Sequence, residues 1–179
     1  MSPRVVAQFL RLLVVMLVLA PEVRAETTDS PKIVELRAGF DGRFKVGCWT
    51  PFEITLEGGH RSFTGHVELI VADCDGVPSR VQTPPDQPVS LEPGKRSTVT
   101  LFAKIGQLTS GATIGLRDTG DSFPTLRVAT REFGPFAGIL PSSARLIVTL
   151  GGPLASFEAD HFDGRGVTVV DLPNAGALP

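Results

Sequence analysis

Glycine, proline and Asp-Gly pairs recur at intervals of roughly ten residues from Ile33 to Thr130, a spacing that suits short strands and leaves little room for helices. Between these breaks the apolar residues alternate with polar ones. Phe52, Ile54 and Leu56 fall on one face, with Glu53 and Thr55 on the other. Val67, Leu69 and Val71 repeat the pattern within His66 to Ala72. Alternation of this kind is what a strand with one buried face requires. Ile33 to Ala38, Arg43 to Val46, Ser79 to Thr83, Ser97 to Ile105, Ala112 to Arg117 and Thr125 to Thr130 complete the set. Seven or more such strands predict a β-sandwich over residues 33–131. Ser79 to Thr83 is expected at an edge, because Pro84, Pro85 and Pro88 cannot donate to a central ladder.

The first 25 residues read differently. A basic start with Arg4 and Arg11 precedes the apolar run Leu12 to Ala20, and the small residues Val23 and Ala25 follow. This is the pattern of a secretory signal peptide, with cleavage expected after Ala25. Arg11 keeps the apolar run well short of the roughly 20 residues that span a bilayer. Residues 26–32 are polar and form a flexible leader. Removal of the signal leaves 14 basic against 18 acidic residues, net −4. Nothing in that balance drives binding to nucleic acid.

Residues 132–144 are expected as a linker around Phe133-Gly-Pro-Phe-Ala-Gly138. Beyond them, Arg145 to Leu150 is a near-continuous apolar run, of the sort found in a strand covered on both faces. Gly151-Gly-Pro153 then leads into a stretch suited to two helical turns, Leu154 to His161, and Val167 to Asp171 is a second buried-type strand. The order strand, helix, strand predicts the opening βαβ unit of an α/β domain over residues 145–179. One such unit cannot cover its own sheet, so the sequence reads as a fragment of a longer protein. The alternative is that residues 145–171 add two strands to the sandwich.

No catalytic, cofactor or metal site is predicted. Gly151-Gly-Pro153 lacks the spaced glycines of a dinucleotide fingerprint and the Lys-Ser/Thr of a phosphate loop. Asp73-Cys-Asp-Gly76 offers two carboxylates but too few later ligands for calcium, and reads as a hairpin turn. His60, His66 and His161 share no metal-ligand spacing with one another or with the cysteines. No nucleophile elbow is present, and Cys48, the one candidate thiol, has no argued partner base. Trp49 is expected to plug the core or a sheet end, given the apolar area it can bury.

Cys48 and Cys74 make a single disulfide a candidate if the chain is exported. Parity works against direct pairing. Cys48 keeps step with Phe52, Ile54 and Leu56, whereas Cys74 is out of step with Val67, Leu69 and Val71, so a bridge would need a bulge or the kink of Pro51. The alternative is two small thiols buried independently.

The run from Phe40 through Gly47-Cys-Trp-Thr-Pro51, followed by Val67 to Gly76 and Leu91-Glu-Pro-Gly94, resembles the beginning of a group of large uncharacterised bacterial envelope proteins. In these, a signal peptide and an immunoglobulin-like β-sandwich precede an α/β domain similar to the class I glutamine amidotransferase fold, often with membrane helices later. The resemblance implies a mainly β chain with a truncated α/β domain and no catalytic triad. It implies a periplasmic or envelope location. The resulting expectation is a non-catalytic, exported interaction or spacer module. Its partner would be another envelope protein or the missing C-terminal part of its own chain. Membrane association would come through an uncleaved leader or downstream helices. Two alternatives stand beside it: a glycan-binding sandwich, for which exposed aromatic residues are needed, and the N-terminal piece of a larger envelope enzyme.

Overall fold

The computed structural model describes residues 30–119, 127–151 and 167–173. Within them the chain is mainly β. The strands are β1 (Lys32–Ala38), β2 (Phe44–Lys45), β3 (Trp49–Glu57), β4 (Phe63–Ala72), β5 (Pro78–Gln82), β6 (Val89–Leu91), β7 (Arg96–Lys104), β8 (Ala112–Asp118), β9 (Arg127–Phe133), β10 (Ile139–Leu140), β11 (Arg145–Leu150) and β12 (Val167–Leu172).

Two antiparallel sheets carry the core. The first has the order β1-β3-β7, and the second β5-β4-β8-β9, with β6 pairing β4 beyond β5. Phe52, Ile54 and Leu56 of β3 are fully buried, and so are Val67 and Leu69 of β4 and Ile114 and Leu116 of β8. All belong to one hydrophobic cluster, so the alternation in the sequence marks the inward faces of both sheets. A bulge between Ile33 and Glu35 in β1 changes the parity there, which lets Ile33 and Ala38 both point inward. β5 lies at an edge, as its flanking prolines require.

Pro51 sits inside β3, the central strand of the first sheet. The residue's carbonyl accepts from Gly39 N at 2.8 Å, on the β1 side. In a strand the N–H and C=O of one residue point the same way, so the donor that proline lacks would also have faced β1, whose last paired residue is Ala38. The ladder to β7 is unbroken, with Pro51 opposite Phe102.

Residues 132–144 do more than link. β10 pairs with β2 in parallel, Ile139 opposite Phe44. Phe136 packs edge-on against Phe44 (centroids 5.7 Å apart) and Phe52 (6.0 Å), and Phe44 meets Phe52 at 6.2 Å. The segment expected to link the two parts thus also packs, because an aromatic side chain flanked by Gly134, Pro135 and Gly138 can be turned back onto the core. Gly138 permits the approach. A Cβ there would lie 1.7 Å from the Gly42 carbonyl oxygen.

β11 and β12 pair in parallel and in step, from Arg145 opposite Val167 to Leu150 opposite Leu172. The Thr149 hydroxyl donates to the Asp171 carboxylate across the pair. The helix expected between these strands lies outside the described residues. Coverage on both faces is not what the described residues show: Leu150 is 52% and Val169 42% exposed, whereas Val170 and Leu172 are buried.

Candidate binding face

The first sheet turns Trp49, Pro51, Glu53, Thr55 and Glu57 of β3 away from the core, because Phe52, Ile54 and Leu56 face it. On β7 the outward set is Arg96, Thr98, Thr100, Phe102 and Lys104. Trp49 stands opposite Lys104 and Pro51 opposite Phe102, which makes the two aromatic residues diagonal neighbours on one face. Trp49 is 65% exposed and Phe102 52%. The Lys104 ammonium sits 5.0 Å from the indole centroid, within cation–π range.

Trp49 is therefore not the plug that its size suggested. Stepping back in twos from Glu53 through Pro51 places it with the outward residues, and this strand parity outweighs hydrophobicity at the strand's first residue. Phe102 escaped notice for a related reason. It sits between the buried Leu101 and Ala103, and a Leu-Phe-Ala run does not advertise that its centre points out.

Farther along the same face the residues are polar and mutually engaged. Arg37 Nε donates to Glu35 at 2.7 Å, and Arg96 Nε to Glu57 at 2.9 Å. The Glu35 hydrogen bond holds the Arg37 guanidinium above its ordinary value. Glu53 also lines a cleft of about 800 Å³, formed with Arg37, Asp41, Phe136, Gly138 and Asp171. Four strand steps separate Trp49 from Glu53, roughly 13 Å at strand rise. Aromatic platform and polar cleft are thus neighbours.

Residues 31–131 match the family described as Domain of unknown function (DUF8726). The chain belongs to this family. The DUF8726 domain so defined includes the aromatic pair, both sheets up to Arg131 in β9, and the Glu53 side of the cleft. No curated protein matches the chain. Among solved structures, the crystal structure of the C-terminal domain of wzt is similar with a TM-score of 0.49, at 10% identity over 62% of this chain and 74% of that chain.

Other residues singled out in the sequence are placed elsewhere in the DUF8726 domain or beyond it. Asp73 Oδ1 accepts from Asp75 N at 2.9 Å and Val77 N at 2.8 Å, and Gly76 adopts φ 79°. Asp73 to Gly76 is the β4–β5 hairpin turn. Although ligand atoms of Asp73, Cys74 and Asp75 lie within 4.8 Å of one another, the Asp73 oxygen is committed to that turn. His60 is exposed. His66 Nδ1 shares a hydrogen bond with Thr83 Oγ1 at 3.2 Å, and the same oxygen accepts from Val67 N. Gly151 N donates to the Leu172 carbonyl at 2.8 Å, so Gly151 belongs to a turn beside β12. His161 and Ala25 lie outside the described residues.

Cys48 and Cys74 are free thiols, and both are exposed rather than buried. Backbone geometry explains why they stay apart. The Ile105 carbonyl accepts from Gly47 N at 2.8 Å, and Gly106 N donates to the Ala72 carbonyl at 2.9 Å. These two groups belong to one trans peptide and point in opposite directions. The two cysteine turns therefore flank the Ile105–Gly106 peptide, roughly 10 Å apart at ordinary strand spacing and beyond the reach of a disulfide. Gly106 allows the contact, since a Cβ would lie 2.0 Å from Cys74 N.

Among the described residues no helix is long and apolar enough to cross a membrane.

Proposed function

We propose that this chain is a non-catalytic binding module exported to the cell envelope, which meets its partner through the outer face of the first sheet around Trp49 and Phe102. One observation carries the reading: two large aromatic side chains stand diagonal to each other and open to water on a face whose other outward residues, Pro51 apart, are polar. Export rests on the signal pattern ending at Ala25. An immunoglobulin-like arrangement is supported by the two antiparallel sheets around one core, and the opening of an α/β domain by the parallel β11–β12 pair.

Trp49 is the only tryptophan in the chain, so its fluorescence reports this face alone. The test is acrylamide quenching of 5-hydroxytryptophan incorporated at Trp49 and excited selectively beyond the absorption of ordinary tryptophan, with and without an isolated envelope fraction. Protection of Trp49 by at least twofold is expected, and Phe102→Ala should remove it. Unchanged quenching would refute the reading.

A further inference from the structure

We infer that the occupant of this face is a saccharide chain, with one pyranose ring stacked on Trp49 and Phe102 and a ring two or three units along reaching the polar cleft at Glu53. The inference rests on the binding-module reading above and names its ligand class.

Area argues first. The exposed parts of Trp49 and Phe102 amount to roughly 250 Å², taking 150–250 Å² for a whole aromatic side chain. A stable protein interface buries about 800 Å² on each partner, around a well-packed apolar centre. Around this pair the face turns polar at once. Thr98 and Thr100 follow on β7 and Glu53 on β3, and Arg37 and Arg96 are engaged with carboxylates of their own sheet. A second copy of the chain would desolvate those groups for little apolar gain. A sugar ring has the opposite balance: a small apolar face made of C–H groups, and hydroxyls around its rim.

The chemistry of the surroundings agrees with that balance. The Lys104 ammonium lies over the indole at 5.0 Å, so a ring stacking there displaces this flexible side chain to the rim, where it offers three donors. Glu53 offers acceptor oxygens on the wall of the cleft, where Arg37 is held by Glu35 and Asp171 takes the Thr149 hydroxyl. Binding sites combine apolar surface with a few convergent polar groups, and this face supplies both within the length of two or three sugar rings.

The experiment titrates the full chain with cellohexaose, chitohexaose and the polysaccharide released from lipopolysaccharide by mild acid, following Trp49 emission and calorimetric heat. A saturable signal with at least one of them is expected, weakened tenfold or more in Phe102→Ala and three- to tenfold in Glu53→Gln. Heat that persists unchanged in a Trp49→Ala, Phe102→Ala double variant would overturn the inference. So would flat titrations with all three probes. If solubilised envelope proteins still protect Trp49 in that last case, the saccharide fails and the binding face stands; if neither protects, both readings fail.

Discussion

The outward faces of the two sheets handle polarity in opposite ways. On the second sheet, Glu68 of β4 belongs by parity to the outward set, yet its side chain is only 1% exposed. Arg117 Nε of β8 covers it at 2.9 Å and Arg80 of β5 bonds it from the other side, so three strands satisfy one buried charge. On the first sheet the aromatic pair is left open while the charges around it pair locally. The Glu68 charge is already matched within its own sheet. A face that leaves two rings in water, at the usual cost of exposed apolar area, retains something to bury.

Four measurements would break or sharpen that contrast. The largest effect is expected from Glu68→Ala, which strands two guanidinium groups over a dry carboxylate site and should cost about 3 kcal/mol, somewhat screened on the exposed Arg80 side. A thermal melt should fall by roughly 10 °C; a fall of under 2 °C would mean the charge is not structurally needed. Phe136→Ala comes next. It removes a half-buried ring from the Phe44–Phe52 cluster and should cost about 2 kcal/mol in a denaturant titration, whereas a true linker residue would cost nothing. Trp49→Ala should change stability by less than about 0.5 kcal/mol, and the emission of Trp49 in the parent should be that of a water-exposed indole. A blue-shifted emission would put the ring back in the core. The smallest effect belongs to the cysteines. Thiol counting on denatured protein should give two sulfhydryls, and reducing agent should leave the melting temperature unmoved.

Strand positions were legible because turn residues and alternation constrain the backbone locally. β3, β4 and β7 are read from Phe52, His66 and Ser97, whereas the first two start three residues earlier, at Trp49 and Phe63. What depended on partners distant in sequence was not. Nothing near Glu68 in the sequence says that Arg80 and Arg117 converge on it. Phe136 looked like loop, because its contacts are with residues more than eighty positions earlier. The candidate site was half legible. Parity alone sets Trp49 outward, but its pairing with Phe102 required knowing that β3 and β7 are neighbours with Pro51 opposite Phe102.

The parallel docking of β10 beside β2 has a mechanical consequence. A tug on the polypeptide beyond Leu140 would load first the bonds by which the Leu140 and Gly138 carbonyls accept from Val46 N and Phe44 N, and next the Phe136, Phe44 and Phe52 rings, before β9 could begin to unzip from β8. Tension arriving through β11 would thus be borne by a short parallel seam backed by an aromatic clasp.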